Sequence, residues 1–239
     1  LVVWATFFES PIIEQKKNEN EITKNQDISS PSIDEKEIKS EVQRSEIINE
    51  TKRIKVENEN IKGSISLEGA IIDDVIFKNY KKTLDSDERV TFLNPKNSKK
   101  EYYIETGWAT GGNEEIKLPL VNTVWEIKGN TNLTPGNPIT LEWNNDEGLI
   151  FQKKIELDEK FLFQITQSIK NNSNKSFQFY PYAQITRRGG IEGRQIYILH
   201  EGFLGVFEDE LKEENFKDIE KEKFTITSSK GWLGITDKY

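Results

Sequence analysis

Two adjacent residues, His200 and Glu201, are the first candidates for acid–base chemistry in this sequence. A catalytic His needs a second positioned group within hydrogen-bond reach. If both residues lie on one strand, their side chains point to opposite faces of the sheet. We therefore expect His200, the only His in the chain, to be a hydrogen-bonded structural residue.

Paired carboxylates occur at Asp73-Asp74 and at Glu114-Glu115, and two carboxylates can together cleave a glycosidic bond. Consecutive residues on a strand, however, do not converge on one bond. The spacing predicts solvated strand edges at both places, and a catalytic partner elsewhere in the fold remains the alternative.

A basic, glycine-rich stretch runs from Arg187 to Arg194 with the sequence RRGGIEGR. Neither a Walker pattern nor GxGxxG occurs in the chain, so a nucleotide-phosphate loop is not predicted. Arginines near a turn can bind an anion, but in an acidic protein they more often lie at an exposed hairpin tip. We expect an exposed tip here.

Four Trp residues follow residue 100, and their side chains suit either sugar stacking or core packing. Trp125 lies next to Val124, and Trp143 shares strand parity with Leu141. This neighbourhood favours the core for the whole set, which comprises Trp108, Trp125, Trp143 and Trp232.

The composition removes several classes of function. The chain of 239 residues contains no Cys, which excludes thiolate metal sites, disulfides and a cysteine nucleophile. A net charge of -8 opposes sequence-independent binding to nucleic-acid phosphates. The chain begins with Leu1 and has no Met, so we expect it to be part of a longer protein.

The first 52 residues differ in character from the rest. Residues 1–8 (LVVWATFF) are an apolar run too short to span a membrane, and we expect them to be the end of a transmembrane helix, with a buried strand or a signal-peptide remnant as alternatives. Residues 9–52 are charged and contain no Gly or aromatic residue, which predicts a disordered or weakly helical tether.

From residue 53 to residue 239 the sequence has the texture of a β protein. Apolar and polar residues alternate at Ile54 and Val56, at Ile61 to Leu67, and at Phe161 to Ile165. Glu208–Lys223 is the one helical candidate in this region, with a charged loop as the alternative. Further strands are predicted at Ala70–Phe77, Glu101–Thr106, Thr123–Lys128, Ile139–Asn144, Leu149–Leu157, Ser176–Thr186, Gln195–Leu199, Phe203–Phe207 and Phe224–Thr227. A dozen short strands indicate a sandwich or a barrel.

The order of these segments resembles the large periplasmic domain of the YidC membrane protein insertase family in its Gram-negative form. The resemblance covers nearly all of residues 53–239 and is most specific in GSISLEGA and GWLGITDKY. The segments that carry it are RIKVENENIKGSISLEGAIIDDVIFKNY at 53–80, YYIETGW at 102–108, LPLVNTVWEIKGNTNLTPGNPITLEW at 118–143, EGLIFQKKIELDEKFLFQI at 147–165, HEGFLGVF at 200–207 and SSKGWLGITDKY at 228–239.

The resemblance implies an all-β, twisted antiparallel β-supersandwich similar to galactose mutarotase, here incomplete at its C-terminal end. It also implies attachment to the bacterial inner membrane, a periplasmic location for this segment, and partners among the Sec translocon and nascent membrane proteins. Five further membrane helices, with a hydrophilic groove and its arginine, would follow in such proteins. No residue of that groove has a counterpart in this chain.

Neither the residues nor the resemblance predicts a catalytic residue, a cofactor or a metal site. The first hypothesis is therefore an accessory docking domain without enzymatic activity. A secreted carbohydrate-binding or mutarotase-like sandwich is the alternative, although a shared fold is weak grounds for a shared function. A structural spacer without any ligand is the third possibility.

Overall fold

The fold consists almost entirely of antiparallel β-strands. The computed structural model describes residues 2–5, 43–111, 116–188, 200–219 and 224–236. In chain order the elements are β1 (Val2–Ala5), α1 (Arg44–Glu50), β2 (Arg53–Glu57), β3 (Ile61–Ser66), β4 (Ile71–Lys81), β5 (Arg89–Leu93), β6 (Tyr102–Thr110), β7 (Glu126–Lys128), β8 (Asn132–Leu133), β9 (Ile139–Asn144), β10 (Leu149–Leu157), β11 (Phe163–Asn171), β12 (Phe179–Arg187), β13 (Gly202–Phe207), β14 (Glu210–Asn215), α2 (Phe216–Ile219) and β15 (Gly231–Thr236).

These strands form three sheets in the described parts of the chain. The largest has the order β1-β12-β6-β4-β3-β2-β8, with β5 paired to β4. A four-stranded sheet has the order β11-β10-β9-β7, and a small sheet has the order β14-β13-β15. The pairing of β2 with β8 is parallel, and the other described strand pairs are antiparallel.

The main core lies between the large sheet and the four-stranded sheet. In β10 every second residue, from Leu149 to Leu157, is buried, and Phe151 is at its centre. Ile54 and Val56 of β2 face the same core from the large sheet. This alternation is what a sandwich requires, because each strand presents one face to the opposing sheet. The expected all-β, sandwich-like architecture is confirmed.

Most predicted strands occur, and two match to the residue, namely Ile139–Asn144 and Leu149–Leu157. The prediction for Phe224–Thr227 is wrong, because this segment forms no strand. In the small sheet, β13 pairs with β14 and β15, and residues 224–228 pair with none of these strands. The predicted strand Gln195–Leu199 lies outside the described residues.

The helical candidate Glu208–Lys223 divides into two kinds of structure in its described part. Its first part is a turn and the hairpin strand β14, Phe216–Ile219 is helical, and residues 220–223 lie outside the described residues. The hairpin turn consists of Glu208 and Asp209, with φ of 50° and 70°. Two successive positive φ angles are typical of a two-residue turn that matches strand twist. No glycine marks this turn, so the sequence pattern did not predict it.

The N-terminal segments show two features. The backbone of Val2–Ala5 forms strand β1 on the outer edge of β12. Arg44–Glu50 forms a helix at the end of the predicted tether. No helix in the described ranges is long and apolar enough to cross a membrane.

Candidate functional site

A β-bulge in β4 brings two neighbouring carboxylates into the interior. Ser64 pairs with Asp74, but the next residue, Ile65, pairs with Ile72, so Asp73 is the extra residue. A bulge suspends the strict alternation of side chains. Asp73 and Asp74 are therefore both buried, with 3% and 5% of their surface exposed. The prediction that this pair forms a solvated edge is wrong.

Each buried carboxylate is paired with an arginine. Arg53 of β2 binds Asp73, and Arg44 of α1 binds Asp74. Ser64 links the two pairs, because its Oγ accepts from Arg53 Nε at 2.7 Å and donates to Asp74 Oδ2 at 2.6 Å. We call these five residues the arginine–aspartate cluster. Its opposite charges compensate one another, as buried charges require.

Burial dominates the electrostatics of this cluster. It raises the pKa of Asp73 to about 6, although the positive charge of Arg53 acts in the opposite direction. The negative charge of Asp74 adds a smaller upward contribution to the same pKa. A carboxyl with such a pKa changes its charge close to neutral pH.

The GSISLEGA segment supplies the backbone that this cluster needs. A Cβ on Gly63 would lie 1.8 Å from the carbonyl oxygen of Asp74, so only glycine allows β3 to approach the bulge. At the following turn, Gly69 and Ala70 have φ of 74° and 53°. Glycine adopts such angles without steric cost. The segment therefore positions both the bulge and the turn beside it.

A second polar group, Lys153 of β10, lies inside the hydrophobic core. Only 1% of its surface is exposed, and its Nζ donates to the carbonyl oxygens of Thr106 at 2.6 Å and of Gly69 at 3.4 Å. The ring centroid of Trp125 lies 4.9 Å from the same Nζ. Burial lowers the pKa of Lys153 to about 7, against the opposing effect of Glu105.

Glu105 of β6 is the carboxylate that accompanies Lys153. Burial raises the pKa of Glu105, and the positive charges of Lys96 and Lys153 lower it. Glu105 and Lys153 line a cavity of about 10 Å³ together with Tyr182. Such a volume is close to the smallest that holds one water molecule. The cavity therefore suits a bridging water rather than an organic ligand.

The cavity lies beneath a loop whose apolar side chains face outward. Leu120 is 65% exposed, and Val121 and Val124 are also exposed. Two backbone hydrogen bonds attach this loop to the turn after β3, from the Gly69 N–H to the Thr123 carbonyl oxygen and from the Trp125 N–H to the Leu67 carbonyl oxygen. We call Leu120, Val121 and Val124 the apolar loop surface. Contiguous exposed apolar residues are typical of contact sites.

The other candidates for chemistry are not gathered at one place. The Nε2 atom of His200 is hydrogen-bonded to the Phe203 carbonyl oxygen at 3.1 Å, which agrees with the expected structural role. Arg188 binds the buried Glu101 at 2.6 Å, so it forms part of the fold rather than an anion site. Arg187 lies against the rings of Tyr102 and Phe216. Glu114-Glu115 and residues 189–194 lie outside the described residues.

The tryptophans divide into core and surface residues. Trp108 and Trp125 are buried and stack on each other at 6.3 Å, and Trp143 packs against the core beside Phe151. The core prediction is confirmed for these three. It is wrong for Trp232, which is 52% exposed on the edge strand β15. Trp108 and Trp125, being buried, offer no exposed face for sugar stacking.

The arrangement as a whole is suited to binding and positioning. Within the described ranges, no group of three or more His, Asp or Glu side chains could hold a metal ion. The buried charges are held by arginines, backbone carbonyls and an aromatic ring, which is how buried charge is stabilised in folded proteins. The surface contributes an apolar loop and strand edges.

The fold defines an all-β protein whose antiparallel sheets pack as a sandwich. The chain belongs to the YidC periplasmic domain family, whose model matches residues 53–239.

Curated relatives with the name membrane protein insertase YidC match most or all of the chain. The protein of Pelagibacter ubique is 43% identical over 100% of this chain and 43% of its own length. That of Bradyrhizobium diazoefficiens is 38% identical over 83% of this chain and 32% of its own length. That of Rickettsia prowazekii is 35% identical over 99% of this chain and 42% of its own length. The chain thus spans less than half the length of these relatives.

Proposed function

We propose that this chain is the periplasmic accessory domain of a membrane protein insertase and that it acts as a docking surface. The observation that carries the proposal is the family match over residues 53–239, together with the exposed apolar loop surface. The partners are translocon components of the Sec type and nascent membrane proteins. The domain contributes no catalytic step.

The proposed layout places the domain outside the inner membrane. Residues 1–8 would mark the membrane-proximal end of the chain, residues 9–52 the tether, and residues 53–239 the sandwich. A charged segment of about forty residues reaches on the order of 40 Å as a coil. Such a tether would keep the sandwich close to the bilayer but free to meet partners there.

Two surfaces support binding to a polypeptide. The apolar loop surface offers side chains that gain free energy when a partner covers them. The strands β11 and β15 each have one paired neighbour in the described part of the chain, which leaves the other edge for strand addition. The first surface favours apolar side chains, whereas the edges favour extended backbone.

Site-specific crosslinking in the full-length insertase tests the proposal. A photoreactive residue at Val121, in the apolar loop surface, should give covalent adducts with translocon subunits or nascent membrane proteins. Asn130 is exposed and polar, and the same residue there is the matched control. If neither position gives such adducts in translocating membranes, or if both give them equally, the docking role of the loop is contradicted.

A further inference from the structure

Polar side chains attach helix α1 to the sandwich at both of its ends. None of its seven residues is fully buried, and Ile47 and Ile48 are only partly covered, so apolar packing alone holds the helix weakly. A helix of this length is not stable alone in water. Its docked position therefore depends on the side chains that connect it to the sheet.

Two connections fix the helix at its two ends. At the first turn, Arg44 binds Asp74 of the β4 bulge. At the last turn, Thr51 caps the helix by donating from Oγ1 to the Ile47 carbonyl oxygen at 2.9 Å. The same Oγ1 accepts from Arg53 Nη1 at 3.0 Å, and Arg53 in turn binds Asp73. Both attachment points thus lead to the carboxylates of the bulge.

The docked state also carries a cost. Arg44 Nε is buried and has no hydrogen-bond partner among the described residues. An unsatisfied buried donor opposes docking by about as much as a charged hydrogen bond favours it. This unsatisfied donor weakens the docking of α1.

We propose that α1 is a latch that holds the end of the tether against the β4 bulge, and that its release through the arginine–aspartate cluster lengthens the tether. As a helix, seven residues span about 10 Å. The same residues in extended form span about 23 Å, so release adds on the order of 10 Å of reach. The importance of that reach rests on the proposed layout, whereas the latch itself does not.

The chain itself allows a direct measurement because it contains no cysteine. Spin labels on Ser45→Cys in α1 and Asn130→Cys on the sandwich report the distance between these elements. Hydrogen exchange reports the protection of the amides in residues 43–51. With the latch closed, we expect one narrow distance distribution and measurable protection.

Arg44→Gln is the principal variant, because Arg44 lies outside the sandwich and its loss leaves the core intact. We expect a broad, longer distance distribution and at least tenfold faster exchange in α1, with unchanged exchange in β10. Asp74→Asn should reproduce this effect. Glu57→Gln, which neutralises a carboxylate paired with Lys55 and Lys78 on the same sheet, is the control and should change neither.

If Arg44→Gln keeps the narrow distribution and the helix protection of the original chain, the latch is disproved. If Asp74→Asn also loses protection in β10, its result reflects unfolding, and Arg44→Gln alone decides. Because this experiment contains no translocon or client, its outcome is separate from that of the crosslinking experiment.

Discussion

Lys153 and Gln167 are cross-strand partners on β10 and β11, and both donate across the sandwich to consecutive carbonyl oxygens of β6. Lys153 Nζ lies 2.6 Å from the Thr106 oxygen, and Gln167 Nε2 lies 2.8 Å from the Gly107 oxygen. The two sheets are therefore joined by hydrogen bonds as well as by apolar packing. Such bonds favour one alignment of the sheets, because an unpaired buried carbonyl is costly.

Lys153 should make the stability of the domain rise with pH above neutrality. Its pKa in the folded state, about 7, is below that of an unfolded chain, so the cost of burying it is full below pH 7 and is relieved as the pH rises. Between pH 7 and 9.5 we expect the free energy of unfolding to increase by on the order of 3 kcal/mol. Urea denaturation at several pH values measures this increase, and Lys153→Met should remove it.

The control for this prediction is Lys154→Met, which removes the exposed neighbour of Lys153 on β10. This variant should keep the pH dependence of the original chain. An equal rise in the Lys153→Met variant would show that another group causes it.

Asp73 should give the opposite trend in mildly acidic solution. Its folded-state pKa of about 6 exceeds the unfolded value, so the cost of its buried charge is full above pH 6 and is relieved as the pH falls towards 4. As the pH falls from 6 to 4, Asp73 should increase the free energy of unfolding of the original chain by on the order of 2 kcal/mol. Urea denaturation at several pH values measures this increase, which the Asp73→Asn variant should lack. Asp87→Asn, which neutralises a fully exposed carboxylate, is the control and should keep the slope of the original chain in this range. Identical slopes for Asp73→Asn and the original chain would contradict the assignment.

Gly63→Ala should be strongly destabilising. The added Cβ would collide with the Asp74 carbonyl oxygen at 1.8 Å, and both groups belong to paired backbone. We expect a loss of about 3 kcal/mol in the free energy of unfolding, measured by urea denaturation. Gly234→Ala is the control, because a Cβ at that position meets no atom within 4 Å. A Gly63→Ala variant as stable as Gly234→Ala would mean that β3 and β4 do not approach in this way.

The apolar loop surface should matter for contacts but not for folding. The double variant Leu120→Ser/Val124→Ser replaces two exposed side chains, so its free energy of unfolding should differ from that of the original chain by no more than about 0.5 kcal/mol. Thermal or urea denaturation checks this part. In the full-length insertase, the same double variant should lower the yield of crosslinks from Val121. A large loss of stability would instead assign these side chains to the fold.

Strands were predictable where alternation and turn residues agreed. Gly136-Asn137 and Gly148 bound the two alternating segments that became β9 and β10, and their limits were found to the residue. The alternating pattern did not predict the burial of Asp73 and Asp74. One extra residue in β4 reverses which side chains face the core, and no local sequence pattern indicates such a bulge. The arginine partners could not be predicted either, since they depend on pairing between distant segments.

The burial of Lys153 could have been predicted from the sequence. Lys153 shares parity with Phe151 and Ile155, so an alternating strand already placed it on the buried face. The exposure of the apolar loop surface could not be predicted, because a loop has no hydrophobic repeat that distinguishes an exposed Leu from a buried one.

The parallel pairing of β2 with β8 gives the domain a mechanical property. Strand β2 follows α1 directly and lies between β3 and β8, so tension arriving through the N-terminal segment is applied to an interior strand. The hydrogen bonds of the antiparallel β2–β3 pair run nearly perpendicular to the strands, so a pull along β2 loads them together rather than one at a time. The N-terminal segment thus joins the sandwich at a strand that is hydrogen-bonded on both sides, and not at a free edge.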